Sequence, residues 1–106
     1  MATNRRLGEE FSRYVGEQIR GEASMRNISV SGLARLMEID RATLHRYLTG
    51  TRPMPVPVLY EAAEAIGIAA AILVDRADAR MSAEGYMLAA SDTDYDQEIE
   101  DRQREP

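Results

Sequence analysis

Residues 29–50 read SVSGLARLMEIDRATLHRYLTG, and the apolar spacing in this stretch decides the fold. Ser29 is a good N-cap residue, and Leu33, Ala34, Leu36 and Met37 give the apolar side of a short helix, about Val30 to Met37. Glu38, Ile39 and Asp40 interrupt that pattern. Asp40 can cap a further helix, Arg41 to Thr49, whose inward residues are Leu44, Tyr47 and Leu48, and Gly50 is placed to end it. Two short helices joined by a turn of three residues form a helix-turn-helix. Ile39 plugs the space between the helices, Ala34 is small where they approach, and Leu33, Leu36, Leu44 and Tyr47 supply the shared core. The residues left facing outward on the second helix are Arg41, Ala42, Thr43, His45 and Arg46.

Ahead of this stretch, Leu7, Phe11, Tyr14, Val15 and Ile19 recur at helical spacing, which predicts an amphipathic helix from about Leu7 to Met25. Gly16 and Gly21 weaken it, and Asn27 suits a left-handed closing position. After Gly50, the segment TRPMPVPV holds three prolines in five residues and reads as a stiff extended connector. Pro57 fits the first turn of a fourth helix, which holds Val58, Leu59, Ala62, Ala63 and Ile66 and ends at Gly67. A fifth helix is expected from Ile68 to about Arg80, with Ile72 and Leu73 as core contacts. The expected organisation is one all-α domain, residues 1–80, followed by a short helical extension and an acidic tail over 81–106. The last sixteen residues, SDTDYDQEIEDRQREP, have no usable apolar face and read as disordered.

Composition narrows the function classes. With no cysteine there are no disulfides, thiolate metal sites or cysteine nucleophiles. His45 is the only histidine, no set of Ser, His and Asp assembles, and no glycine-rich phosphate loop is present. Neither an enzyme nor a cofactor or metal is expected. No run of about 18 apolar residues occurs, so no membrane span is expected. The first ten residues, MATNRRLGEE, have two arginines and no apolar stretch behind them, so no secretory leader is expected and a cytoplasmic location is. The net charge of −5 argues at first against nucleic acid, where a basic face is the usual footprint. That charge is split along the chain, however: residues 1–74 carry nine arginines against eight acids, and residues 75–106 four against ten. All thirteen basic residues are arginine, a bias that a GC-rich coding sequence explains and that locates no site.

The stretch ISVSGLARLMEIDRATLHRYLTGTRPMPVPVLYEAAEAIGI, residues 28–68, resembles the lambda-repressor/Cro-like, or Xre-like, family of helix-turn-helix proteins. The resemblance covers about residues 17–74. It rests on Leu33-Ala34, Ile39 in the turn, Thr43-Leu44, Gly50, and Leu59 through Gly67. It departs from the family's common pattern at Val30 and Leu48, where glutamine and glutamate are frequent, and at Glu38, where glycine is. The resemblance implies a five-helix fold and double-stranded DNA as ligand. It also implies a transcriptional regulator, usually a phage or prophage repressor or a Cro-like protein.

In this geometry the N-terminal part of the second helix meets base edges in the major groove. Arg41, Ala42, His45 and Arg46 match the family's reading surface. Arginine pairs with guanine O6 and N7, and an alanine methyl can touch thymine. Ser29, Ser31, Thr43, Thr49, Thr51 and Arg52 are expected to meet the sugar-phosphate backbone, which positions a protein without specifying sequence. Arg26 and Arg35 read as ordinary surface charges, Tyr47 and Tyr60 as core aromatics, and Met25, Met37 and Met54 as core gap-fillers. One short helix reads few base pairs, so a homodimer on a two-fold operator is expected. Its contact would lie in the fifth helix or in residues 81–90, where Tyr86, Met87 and Leu88 cluster. The same fold also serves as an antitoxin-like interaction module, in which the acidic tail would bind a protein partner.

Overall fold

The computed structural model describes residues 3–86. Among them the chain forms five α-helices and no strand: α1 Asn4–Met25, α2 Val30–Met37, α3 Arg41–Thr49, α4 Val56–Ile66 and α5 Ala70–Met81. A single π-helical turn, Ser82–Tyr86, continues α5. Among the described residues no single helix is long and apolar enough to cross a membrane.

Local chemistry accounts for most of the boundaries. Thr3 Oγ1 accepts from the Arg6 N–H at 3.1 Å, so α1 begins three residues ahead of the expected Leu7. Ser29 Oγ accepts from Gly32 N–H at 3.0 Å, and Asp40 Oδ2 from Thr43 N–H at 3.0 Å, satisfying donors that a first turn leaves orphaned. Asn27 (φ 62°) and Glu38 (φ 55°) take the left-handed conformation after α1 and α2. Pro57 occupies the second position of α4. The fifth helix starts at Ala70 rather than Ile68, because Gly67 and Ile68 use their N–H groups to close α4 onto the Ala63 carbonyl.

Helix α1 is the spine and packs against each of the other four helices. The fully buried side chains are Ile19, Leu33, Leu44, Leu48 and Leu73, one or two from each of four helices, with Ala62 and Ala77 completing the centre. Gly16 lets α1 lie directly on the end of α3: a Cβ there would stand 2.5 Å from the Leu48 carbonyl oxygen and 2.9 Å from that of Tyr47. Gly16 is thus a close-approach position, while nothing lies within 4 Å of a Cβ built at Gly21. Buried Ser12 accepts the Met54 N–H at 2.7 Å and pins the proline-rich connector to α1.

Several side chains expected inside are outside. Leu36 is 59% exposed and Tyr60 58%, and Met25 and Ile72 are exposed as well. Leu36 lies about 60° beyond Leu33 around α2, on the side away from Ala34. Tyr60 lies on the outer side of α4, which is held by Ala62, Ala63 and Ile66. Tyr47, Met37 and Met54 are half-buried. Arg26 is not a plain surface charge. Its Nη1 donates to the Ile66 carbonyl at 2.7 Å and to that of Gly67 at 3.3 Å, neutralising the carbonyl end of α4. The carboxylate of Glu22, only 7% exposed, pairs with Arg76 at 2.6 Å and with Arg26 at 3.4 Å, so α1, α4 and α5 meet in one polar joint.

Glu38 carries a cost. A residue with a Cβ in the left-handed region is disfavoured by about 1 kcal/mol, and a carboxylate at a helix C-terminus faces the negative end of its dipole. Glu38→Gly is expected to stabilise the protein by about 1 kcal/mol, raising the thermal midpoint by roughly 4–8 °C. An unchanged or lower midpoint in calorimetry would show that glycine's freedom in the unfolded chain outweighs the relief.

Candidate functional site

Helix α3 is fixed from within by its two leucines. Leu44 and Leu48, one turn apart, are buried, and the backbone of α3 lies close to those of α1 and α2 but not to those of α4 or α5. The rest of the nine-residue helix is therefore free of other helices. Arg41, Ala42, His45 and Arg46 are all exposed, over an arc of about 140° that begins beside the leucine edge at Arg41. The structure thus brings the four expected base-reading residues onto one surface.

Four arginines elsewhere on the molecule are neutralised, whereas Arg5, Arg6, Arg20 and Arg35 have no carboxylate partner among the described residues. Arg13 pairs with Glu10 and Glu17, Arg26 and Arg76 with Glu22, and Arg80 with Glu84. Among the described residues, neither Arg41 nor Arg46 nor Arg52 has a carboxylate partner. The exposed face of α3 and the loop behind it therefore keep their positive charge, although the chain as a whole is acidic. The hydrogen bond to Glu10, opposed by partial burial and reinforced by the Glu10 and Glu17 charges, raises Arg13 above arginine's ordinary pKa. Arg13 lies against Gly50, where its Cγ would stand 2.7 Å from an added Cβ. Gly50, at φ 82°, accordingly needs both its conformational freedom and its missing side chain.

The hydroxyls expected to meet a backbone have internal partners too. Ser29 Oγ caps α2. Thr43 Oγ1 donates to Asp40 Oδ2 at 3.2 Å and sits in the cap of α3. Thr49 Oγ1 donates to the His45 carbonyl at 2.9 Å and lies 3.0 Å from Thr51 Oγ1, which places both threonines in one cluster at the C-terminal end of α3. The Arg52 N–H donates to the Arg46 carbonyl at 3.2 Å, so the loop folds back under the helix and brings Arg52 to its end. Ser31 meets Arg41 itself: Arg41 Nε donates to Ser31 Oγ at 2.8 Å. Exposed Arg35 stands one turn after Ser31 on α2 and so shares its face. It adds a further positive charge beside Arg41, and the four-residue spacing from Ser31 is the signal that could have found it.

Among the described residues no group of His, Asp and Glu is placed to hold a metal ion. Met87, Leu88 and the acidic segment 91–106 lie outside the described residues. No protein-family model, curated protein or solved structure matches the chain.

Proposed function

We propose that this chain is a sequence-specific regulator of transcription that binds double-stranded DNA, of the phage or prophage repressor or Cro-like kind, and reads the major groove with α3. The observation that carries this reading is the exposed row of Arg41, Ala42, His45 and Arg46, which has no carboxylate partner among the described residues. It stands on a short helix locked by Leu44 and Leu48 and joined to α2 by the left-handed turn at Glu38. A helix held so presents its N-terminal residues to base edges as a helix-turn-helix requires. Ser29, Thr43, Thr49, Thr51 and Arg52 flank it where sugar-phosphate contacts would set its register. Two copies on a two-fold site, with half-sites about one helical turn apart, would supply the length of sequence that one α3 cannot. Exposed Ile72 gives α5 apolar surface for that contact.

Selection of binding sites from a random duplex pool tests the proposal. The expected product is a palindromic motif, bound with an affinity that falls steeply as salt rises. A pool that shows no enrichment, with little affinity at about 0.15 M salt, would overturn it in favour of an antitoxin-like interaction module.

A further inference from the structure

Arg41 is the first residue of α3 and Ser31 the second of α2, and their side chains meet at 2.8 Å through Arg41 Nε and Ser31 Oγ. Ser31 is not needed to cap its helix, because Ser29 Oγ already takes the Gly32 N–H. Nor is Arg41 neutralised, having no carboxylate partner among the described residues. A guanidinium has five N–H donors, one on Nε and four on the two terminal nitrogens. With Nε given to Ser31, the four that remain are those at the tip. Such a fork, presented end-on, matches the O6 and N7 acceptors of guanine in the major groove.

We propose that Ser31 is a positioning residue for Arg41: by holding Nε it directs the terminal nitrogens at one guanine in each half-site and so sets base preference there. This rests on the DNA reading of α3 and replaces the phosphate contact first expected of Ser31. A long arginine side chain ordered before binding loses less freedom on binding. The gain reaches only sequences that offer the fork two acceptors. A phosphate grip would instead strengthen binding to every sequence alike.

The test compares the full chain with Ser31→Ala, Ser31→Thr and Arg41→Ala on the selected site and on duplexes with single guanines replaced. Ser31→Ala is expected to weaken binding to the selected site about 5-fold per half-site, the size of one exposed hydrogen bond. It should leave affinity unchanged for the duplex lacking that guanine, and it should have no effect in the Arg41→Ala background. Ser31→Thr keeps the hydroxyl and should restore the preference. In the free protein, NMR relaxation of the Arg41 Nε–H should show it ordered in wild type and mobile in Ser31→Ala. Uniform weakening across all duplexes with a shallower salt dependence, or an Arg41 Nε–H equally mobile in both proteins, would overturn the inference. Failure of the DNA reading itself is separately visible: wild type then selects no site, and the base preference falls with it.

Discussion

Replacing Arg41 and Arg46 together by alanine is expected to lower affinity for the selected DNA site by about 1000-fold per half-site while leaving the fold intact. Both side chains are exposed, and neither pairs with a carboxylate among the described residues. Arg41 gives up only its bond to Ser31. The core beneath them, Leu44 and Leu48, is untouched. A bidentate arginine–guanine contact is worth roughly 1–3 kcal/mol of discrimination. Two such contacts together come to about 4 kcal/mol, and each 1.4 kcal/mol is a factor of ten. Because two positive charges also leave each half-site, the slope of log affinity against log salt should become shallower. Titration of the labelled duplex at several salt concentrations, beside thermal melting of the protein alone, measures both. A loss under tenfold with unchanged salt dependence would place the DNA somewhere other than on α3.

Gly16→Ala should have the opposite character, harming the fold without touching the exposed arginines. The added methyl would stand 2.5 Å from the Leu48 carbonyl oxygen, 2.9 Å from its carbon and 2.9 Å from the Tyr47 oxygen. All three are backbone atoms and cannot swing aside, so α1 and α3 must separate. Overpacking of a core commonly costs 1–3 kcal/mol, and a rigid backbone puts this case at about 3 kcal/mol. For a domain of this size that lowers the thermal midpoint by roughly 10–20 °C. Gly21→Ala is the internal control. Nothing lies within 4 Å of a Cβ there, so alanine should stabilise the same helix by about 0.5–1 kcal/mol. If the two variants melt alike, the α1–α3 contact is looser than these distances require.

That contrast marks what a linear reading can and cannot reach. Both glycines look alike in sequence, as weak points of an amphipathic helix. Only the approach of α3, more than thirty residues away, makes one of them indispensable. Helix ends were more legible, because caps are local: Ser29, Asp40, Gly50 and Gly67 act within a turn of themselves. Thr3 is the exception, a cap lying ahead of the first apolar residue that periodicity counts. Facing was legible where one apolar edge stood alone, as with Leu44 and Leu48. It failed where apolar residues ran on around the helix, so that Leu36, Tyr60 and Ile72 had an equal claim to the inside. In the joint of Glu22 with Arg26 and Arg76, the Glu22–Arg26 pair has the four-residue spacing of a helix pair, but Arg76 lies too far along the chain for spacing to reveal. The exposed row on α3 was legible from spacing alone. The bond between Arg41 and Ser31 was not, because it depends on how α2 and α3 cross.

The dependence of α3 on α1 and α2 alone has a consequence during synthesis. The ribosome delivers all three helices by residue 49, but α1 still lacks the cover that α5 lays along it, from the Glu22–Arg76 pair toward Phe11 and Met81. Contacts between the two ends of a chain form last on a growing polypeptide. The arginine-bearing helix is therefore translated early and braced late. A nascent or prematurely terminated chain that stops before Ala70 carries the arginine row on an unfinished support, and its rigidity arrives only with the final helix.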